Sequence, residues 1–171
     1  MTGEPIAYVI GYGNTLRGDD GVGPRAATAV ESWGLRGVRS LAIPQLTPEL
    51  AEPIASARLV IFVDASLATK EGAPSIDVTP IEPIECSARI AISSNHSSDP
   101  RRLLALANRI YGRCPPAWLL SITAENFGIG EEISPTAARG LDAALGRIAA
   151  ILNMARAAEF VPRHQQRGLN R

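Results

Sequence analysis

The feature that most constrains this chain is Arg58-Leu59-Val60-Ile61-Phe62-Val63-Asp64, an unbroken apolar run that ends at a carboxylate. Three of its residues are β-branched, which favours a strand. A strand with no polar alternation has no face to offer water and must be covered on both sides. The rest of the chain therefore has to supply a sheet around this strand and helices above and below it.

The remaining sequence meets that demand by alternation. Residues 6–10 form a short apolar run, and residues 23–33 carry Ala26, Ala27, Val30 and Trp33 at helical spacing before Gly34. Residues 38–43 read as a second strand. Thr47-Pro48 gives an N-cap and first helical position for a helix ending near Ser56. Residues 75–81 alternate apolar with polar and contain Pro80, which predicts an edge strand. A second short alternation lies at 88–92. Asp99-Pro100 opens a helix that runs to Gly112, residues 117–124 are the last strand, and Ser134-Pro135 starts a long closing helix with Leu141, Ala144, Leu145, Ile148, Ile151 and Leu152 as its stripe. Strands and helices alternating at these lengths predict a three-layer α/β/α fold with a mostly parallel sheet. With 171 residues, 46% of them hydrophobic, the chain suits a single domain over 1–161, followed by a flexible tail over 162–171.

Charge narrows the partners. The formal net charge is zero and the arginines are scattered, so no basic footprint for nucleic acid or an acidic membrane surface is present. Cys86 and Cys114 form no Cys-x-x-Cys pair, which argues against a disulfide framework or zinc knuckle. No basic-then-apolar leader appears and no apolar run reaches the ~18 residues of a membrane span, so a cytoplasmic protein is expected.

Ligands of open α/β sheets bind beyond the carboxyl ends of the strands. Asp19 and Asp20 follow the first strand within Gly11-Tyr12-Gly13-Asn14-Thr15-Leu16-Arg17-Gly18-Asp19-Asp20-Gly21-Val22-Gly23, Asp64 ends the third, and His96 precedes the helix at Asp99. Two carboxylates and an imidazole suit a divalent metal with open positions for water or substrate. Asp19 has a structural reading as a cap for the following helix, whereas a second adjacent carboxylate is not needed for capping. Glu125, at the end of the last strand, is a neighbour of the same crevice. Dinucleotide binding fails because the third glycine of its fingerprint is replaced by Leu16, and the acidic pair would repel a pyrophosphate. A phospho-accepting receiver domain would also place acids after strands one and three, but it needs a lysine after the last strand, and the only lysine is Lys70. No Gly-x-Ser-x-Gly elbow, catalytic Cys/His pair or His-Glu-x-x-His helix is present.

The glycine-rich acidic stretch resembles the opening motif of the hydrogenase maturation endopeptidases. Leu59 to Asp64 with Ala65 resembles that family's second acidic motif, Ser94-Asn95-His96 takes the place of its loop histidine, and Glu125 to Pro135 is similar to its late Gly-rich segment. The resemblance implies a five-stranded twisted mixed sheet in which the proline-bearing strand near Ile76 is antiparallel. It also implies an enzyme that removes the C-terminal extension of a nickel-iron hydrogenase large-subunit precursor after nickel insertion. Nickel would then be carried by the substrate, with Asp20, Asp64 and His96 contacting it and Asp20 and Asp64 serving catalysis. Gly11, Gly13, Asn14 and Gln45 would border the substrate. Where many members have a Gly-Gly-Thr-type motif after strand two, this chain has Ile43-Pro44-Gln45-Leu46-Thr47-Pro48-Glu49, which resembles only a subgroup. A nickel-binding checkpoint that docks the precursor without cutting it is the non-enzymatic alternative.

Overall fold

The computed structural model describes residues 7–67, 75–84 and 99–159. His96, Lys70, Cys86, the 88–92 alternation and the 162–171 tail lie outside them. Among the described residues five strands, β1 (Ala7–Tyr12), β2 (Val38–Ile43), β3 (Val60–Leu67), β4 (Ile76–Ile81) and β5 (Ala117–Ala124), form one sheet in the order β2-β1-β3-β5-β4. All neighbours are parallel except β4, which runs antiparallel to β5 at the edge. Pro80 is accommodated there because, among the described residues, β4 pairs on one side only.

Helices α1 (Val22–Ser32), α2 (Ala51–Ser56), α3 (Pro100–Tyr111) and α4 (Pro135–Glu159) cover both faces. Val22, Ala26 and Val30 of α1 and Ala137, Ala144 and Ile148 of α4 pack on Val9, Ile61 and Val63. On the other face, Ala51 and Ile54 of α2 and Leu103, Leu104 and Ala107 of α3 pack on Ile10, Val60 and Phe62. Successive residues of β3 thus feed opposite cores. Full burial of side chains such as Ile61 and Phe62 contributes about 1.5–3 kcal/mol each.

Three boundaries differ from the sequence reading. β1 continues past Ile10 because Gly11 and Tyr12 pair with Ala42 and Ile43 of β2. β3 does not stop at Asp64 but runs on to Leu67, paired with β5 throughout. Its apolar run ends because its pairing with β1 ends, at Gly11↔Val63. The segment after Thr47 is a 3-10 turn (Pro48–Leu50) leading into α2, and Thr47 makes no side-chain cap. By contrast, α3 has the expected ends: the Asp99 carboxylate accepts the Arg101 N–H at 2.9 Å, and Gly112 closes the helix at φ +66°.

The chain leaves β1 for β2 on one side and later returns to β3 on the other. The gap between the ends of β1 and β3 is therefore the point where strand order reverses, the place where an open α/β sheet offers a crevice. No helix among the described residues is long and apolar enough to cross a membrane.

Candidate active site

The loop after β1 reaches α1 through a 3-10 turn, Gly18–Gly21, that carries both aspartates. Helix α1 sits directly on the strand ends, and glycine makes this approach possible. A Cβ on Gly11 would stand 1.8 Å from the Gly23 carbonyl oxygen, and one on Gly23 would stand 2.4 Å from that of Tyr12 and 2.6 Å from that of Val63. Gly11, expected at the substrate surface, is buried beneath α1, so its missing side chain serves packing. Gly13, at φ +139°, turns the chain so that it passes the Asp20 backbone.

The adjacent carboxylates have different surroundings. Asp19 is fully buried. Its Oδ2 accepts the N–H groups of Glu125 at 2.8 Å and Asn126 at 2.9 Å and the Ser134 hydroxyl at 2.8 Å, while Oδ1 accepts the Ser134 N–H at 2.6 Å. Burial pushes its pKa up, but these donors outweigh burial and hold it below the usual carboxylate value. Asp19 does not cap α1, which has no side-chain cap; it ties the loop after β1 to the loop after β5. Backbone bonds reinforce the tie, from Gly18 N–H to Gly130 at 2.7 Å, Asp19 N–H to Asn126 at 2.8 Å and Gly130 N–H to Leu16 at 2.9 Å. Glu125 contributes its backbone to this tie, and its side chain is exposed.

Asp20 is half-buried, and its Oδ2 accepts the Asn14 N–H at 2.8 Å. Asn14 in turn accepts the Leu16 N–H at 2.9 Å through its side chain, closing the loop on itself. Asp64 lies across the crevice, on the first residue of β3 beyond its pairing with β1. Its Oδ1 accepts the Ala65 N–H at 2.8 Å, and the Tyr12 hydroxyl donates to the same carboxylate. Burial, the largest influence, and the charge of Asp20 push Asp64 up to about 6, against the lowering effect of these two donors. Asp20 and Asp64 are thus near enough to feel each other's charge. Among the described residues no group of three His, Cys, Asp or Glu side chains gathers around a common point; the expected third member, His96, lies outside them.

Beside the loop, Gly13, Asn14, Leu16, Arg25, Thr28 and Pro44 help line an open groove of about 630 Å³ between α1 and the end of β2. Gln45 is exposed next to it.

No family model matches the sequence, and neither does any curated protein. Solved structures do match. The hydrogenase maturating endopeptidase HybD from E. coli is 25% identical with a TM-score of 0.69, over 87% of this chain and 93% of that one. The NiFe hydrogenase maturation protease HybD from Thermococcus kodakarensis is 23% identical with a TM-score of 0.67, over 85% of this chain and 97% of that one. HycI, a protease of the same description from Thermococcus kodakarensis KOD1, is 23% identical with a TM-score of 0.65, over 87% and 93%. In fold and in its sequence motifs the chain resembles the hydrogenase maturation endopeptidases.

Like these neighbours it is a peptide hydrolase, and its crevice holds two carboxylates, one from the loop after β1 and one from β3, the latter with a pKa shifted toward neutrality. Such groups can ligate a hard or borderline cation or accept a proton from water. Sequence reading did not find Tyr12, Asn126 and Ser134 as site residues. Tyr12 reads in sequence only as one more residue near a strand end. Asn126 and Ser134 are 107 and 115 residues from Asp19, and no local spacing marks such a contact.

Proposed function

We propose that this endopeptidase removes the C-terminal extension of a nickel-iron hydrogenase large-subunit precursor in the cytoplasm, and that nickel carried by the precursor is what it recognises. The observation that carries this reading is the pair Asp20 and Asp64, facing one crevice at the strand-order reversal of a sheet shared with hydrogenase maturation endopeptidases. His96, three residues before the α3 cap Asp99, completes the set as the third nickel contact.

In the proposed reaction the precursor's nickel is drawn to the two carboxylates and the imidazole. This fixes the scissile peptide bond near them and replaces a chance encounter with a held geometry. Water attacks the scissile carbonyl carbon, a carboxylate takes the water proton, and the C–N bond breaks with that proton passing to the leaving amine. As metal ligand or as base, Asp64 must be ionised, and with a pKa of about 6 it is ionised at neutral pH. Gly13, Asn14 and Gln45 border the path of the precursor.

The test is cleavage of nickel-loaded precursor, followed by mass analysis of the large subunit. Asp64→Asn and His96→Ala are each expected to leave the extension attached. Wild-type cleavage by both variants overturns the reading, and wild-type cleavage of nickel-free precursor overturns the nickel-recognition part of it.

A further inference from the structure

Beneath the carboxylates lies a buried hydroxyl that the proposed chemistry does not use. Tyr12 ends β1 and is only 4% exposed. Its ring packs in the core formed with α2 and α3, among residues that include Ile10, Phe62 and Leu104, and its hydroxyl donates to Asp64. A buried hydroxyl that lost this acceptor would be left without a partner, at a cost of about 1–3 kcal/mol to the fold, so the ring and the carboxylate hold each other in place. At neutral pH a tyrosine hydroxyl carries its proton, so it serves as a donor to the carboxylate.

We infer that Tyr12 is a positioning residue for Asp64. A carboxylate offers about four lone-pair sites. On Asp64 one is taken by the Ala65 N–H and one by the Tyr12 hydroxyl, and together these donors fix the carboxylate about its last torsion. Among the described residues no other donor is given to it, so the remaining sites face the substrate in a set orientation. Ala65 is bonded through its backbone and can supply only one anchor, so without Tyr12 the carboxylate can turn about that bond. The inference rests on Asp64 acting in cleavage, as proposed above.

Tyr12→Phe removes the hydroxyl and keeps the ring that fills the core. With nickel-loaded precursor, kcat should fall about 10- to 100-fold, the usual range for removing a group that orients a ligand or base. KM should change less than about threefold, because Tyr12 is buried beneath the surface that meets the precursor. Tyr8→Phe, which removes a hydroxyl from the same strand four residues earlier, should leave both constants unchanged. Rates are compared per folded molecule, with the folded fraction taken from chemical denaturation, so that loss of fold is not read as loss of positioning. If Asp64→Asn is inactive and Tyr12→Phe has the wild-type kcat, the positioning role is overturned while the site survives. A rise in KM at unchanged kcat overturns it as well. If Asp64→Asn itself cleaves at the wild-type rate, the site reading fails first.

Discussion

Asp19→Asn isolates what the buried carboxylate does for the fold. The substitution changes almost no volume, so its effect is one of hydrogen bonding and charge. Asparagine has one acceptor oxygen. If that oxygen takes the place of Oδ2, it can still receive Glu125 N–H, Asn126 N–H and the Ser134 hydroxyl, but the amide NH2 then replaces Oδ1 and faces the Ser134 N–H across 2.6 Å. Two donors meet and neither has an acceptor. The flipped amide is worse, because its NH2 would face two backbone donors. Hydrogen bonds to a charged group contribute about 1.5–3 kcal/mol each, and a stranded buried donor costs about 1–3 kcal/mol. Weakening several bonds and stranding one donor pair should cost about 3–5 kcal/mol, above the usual range for a point mutation and a large share of the ~5–15 kcal/mol that holds a domain folded. In urea denaturation at neutral pH, with a slope of roughly 2 kcal/mol per M, the midpoint should fall by about 2 M. Asp20→Asn, at a half-buried carboxylate bonded to Asn14 N–H, should move it by less than about a third of that. The pH dependence has a definite sign. Asp19 has a lowered pKa in the folded protein, so its stabilisation is complete above the ordinary value of 3.8 and is lost as pH falls through the lower folded value. Equal midpoint shifts for Asp19→Asn and Asp20→Asn would refute the reasoning, because the argument turns on the difference in their donors.

Two further outcomes follow from the same geometry. Asp64, raised from 3.8 to about 6, holds a proton in the folded protein that the unfolded chain has already released, so stability falls as pH rises from about 4 to 6 and the penalty is complete above that. Asp64→Asn should therefore raise stability at pH 7 by about 1–2 kcal/mol, less than the full shift implies because the group is partly solvated, and by little at pH 4; equal gains at the two pH values in thermal denaturation would count against the shift. Gly23→Ala puts a Cβ within 3 Å of backbone atoms of Tyr12 and Val63, and since backbone cannot turn aside as a side chain can, a loss of about 2–3 kcal/mol and lower cleavage activity are expected; a wild-type denaturation midpoint would show that α1 can lift from the strand ends at no cost.

The fold was legible because its signals are local. The apolar run at Leu59–Val63 required cover on both faces, Pro80 marked an edge strand, Asp99-Pro100 and Gly112 delimited α3, and the last strand has the bounds its sequence suggests. The errors arose where a neighbour decides. Asp64 looked like the end of β3 because polarity returns there, yet β5 goes on pairing to Leu67 after β1 has departed. Asp19 looked like a cap for the helix next to it, yet its partners come from the loop after β5. That Asp20 follows β1 and that Asp64 faces the crevice side of β3 could be read from the chain, but the Tyr12 hydroxyl could not be matched to Asp64, because cross-strand pairing, not sequence spacing, sets that contact.

The two adjacent aspartates and Asp64 show why acidic residues in a motif do not share one role. What separates them is how many protein donors each already satisfies. Asp19 accepts four hydrogen bonds, close to the capacity of a carboxylate, so it has nothing left for a substrate and its lowered pKa reflects groups of its own fold. Among the described residues Asp64 accepts two and carries a pKa raised by burial, which leaves it more lone-pair capacity for a substrate than Asp19 has. A positive charge placed between them would relieve both the burial of Asp64 and its repulsion from Asp20, so the electrostatics of this pair favour a cationic group. Asp19 supports this arrangement by tying the loop that carries Asp20 to the loop after β5, together with the backbone bonds between those loops.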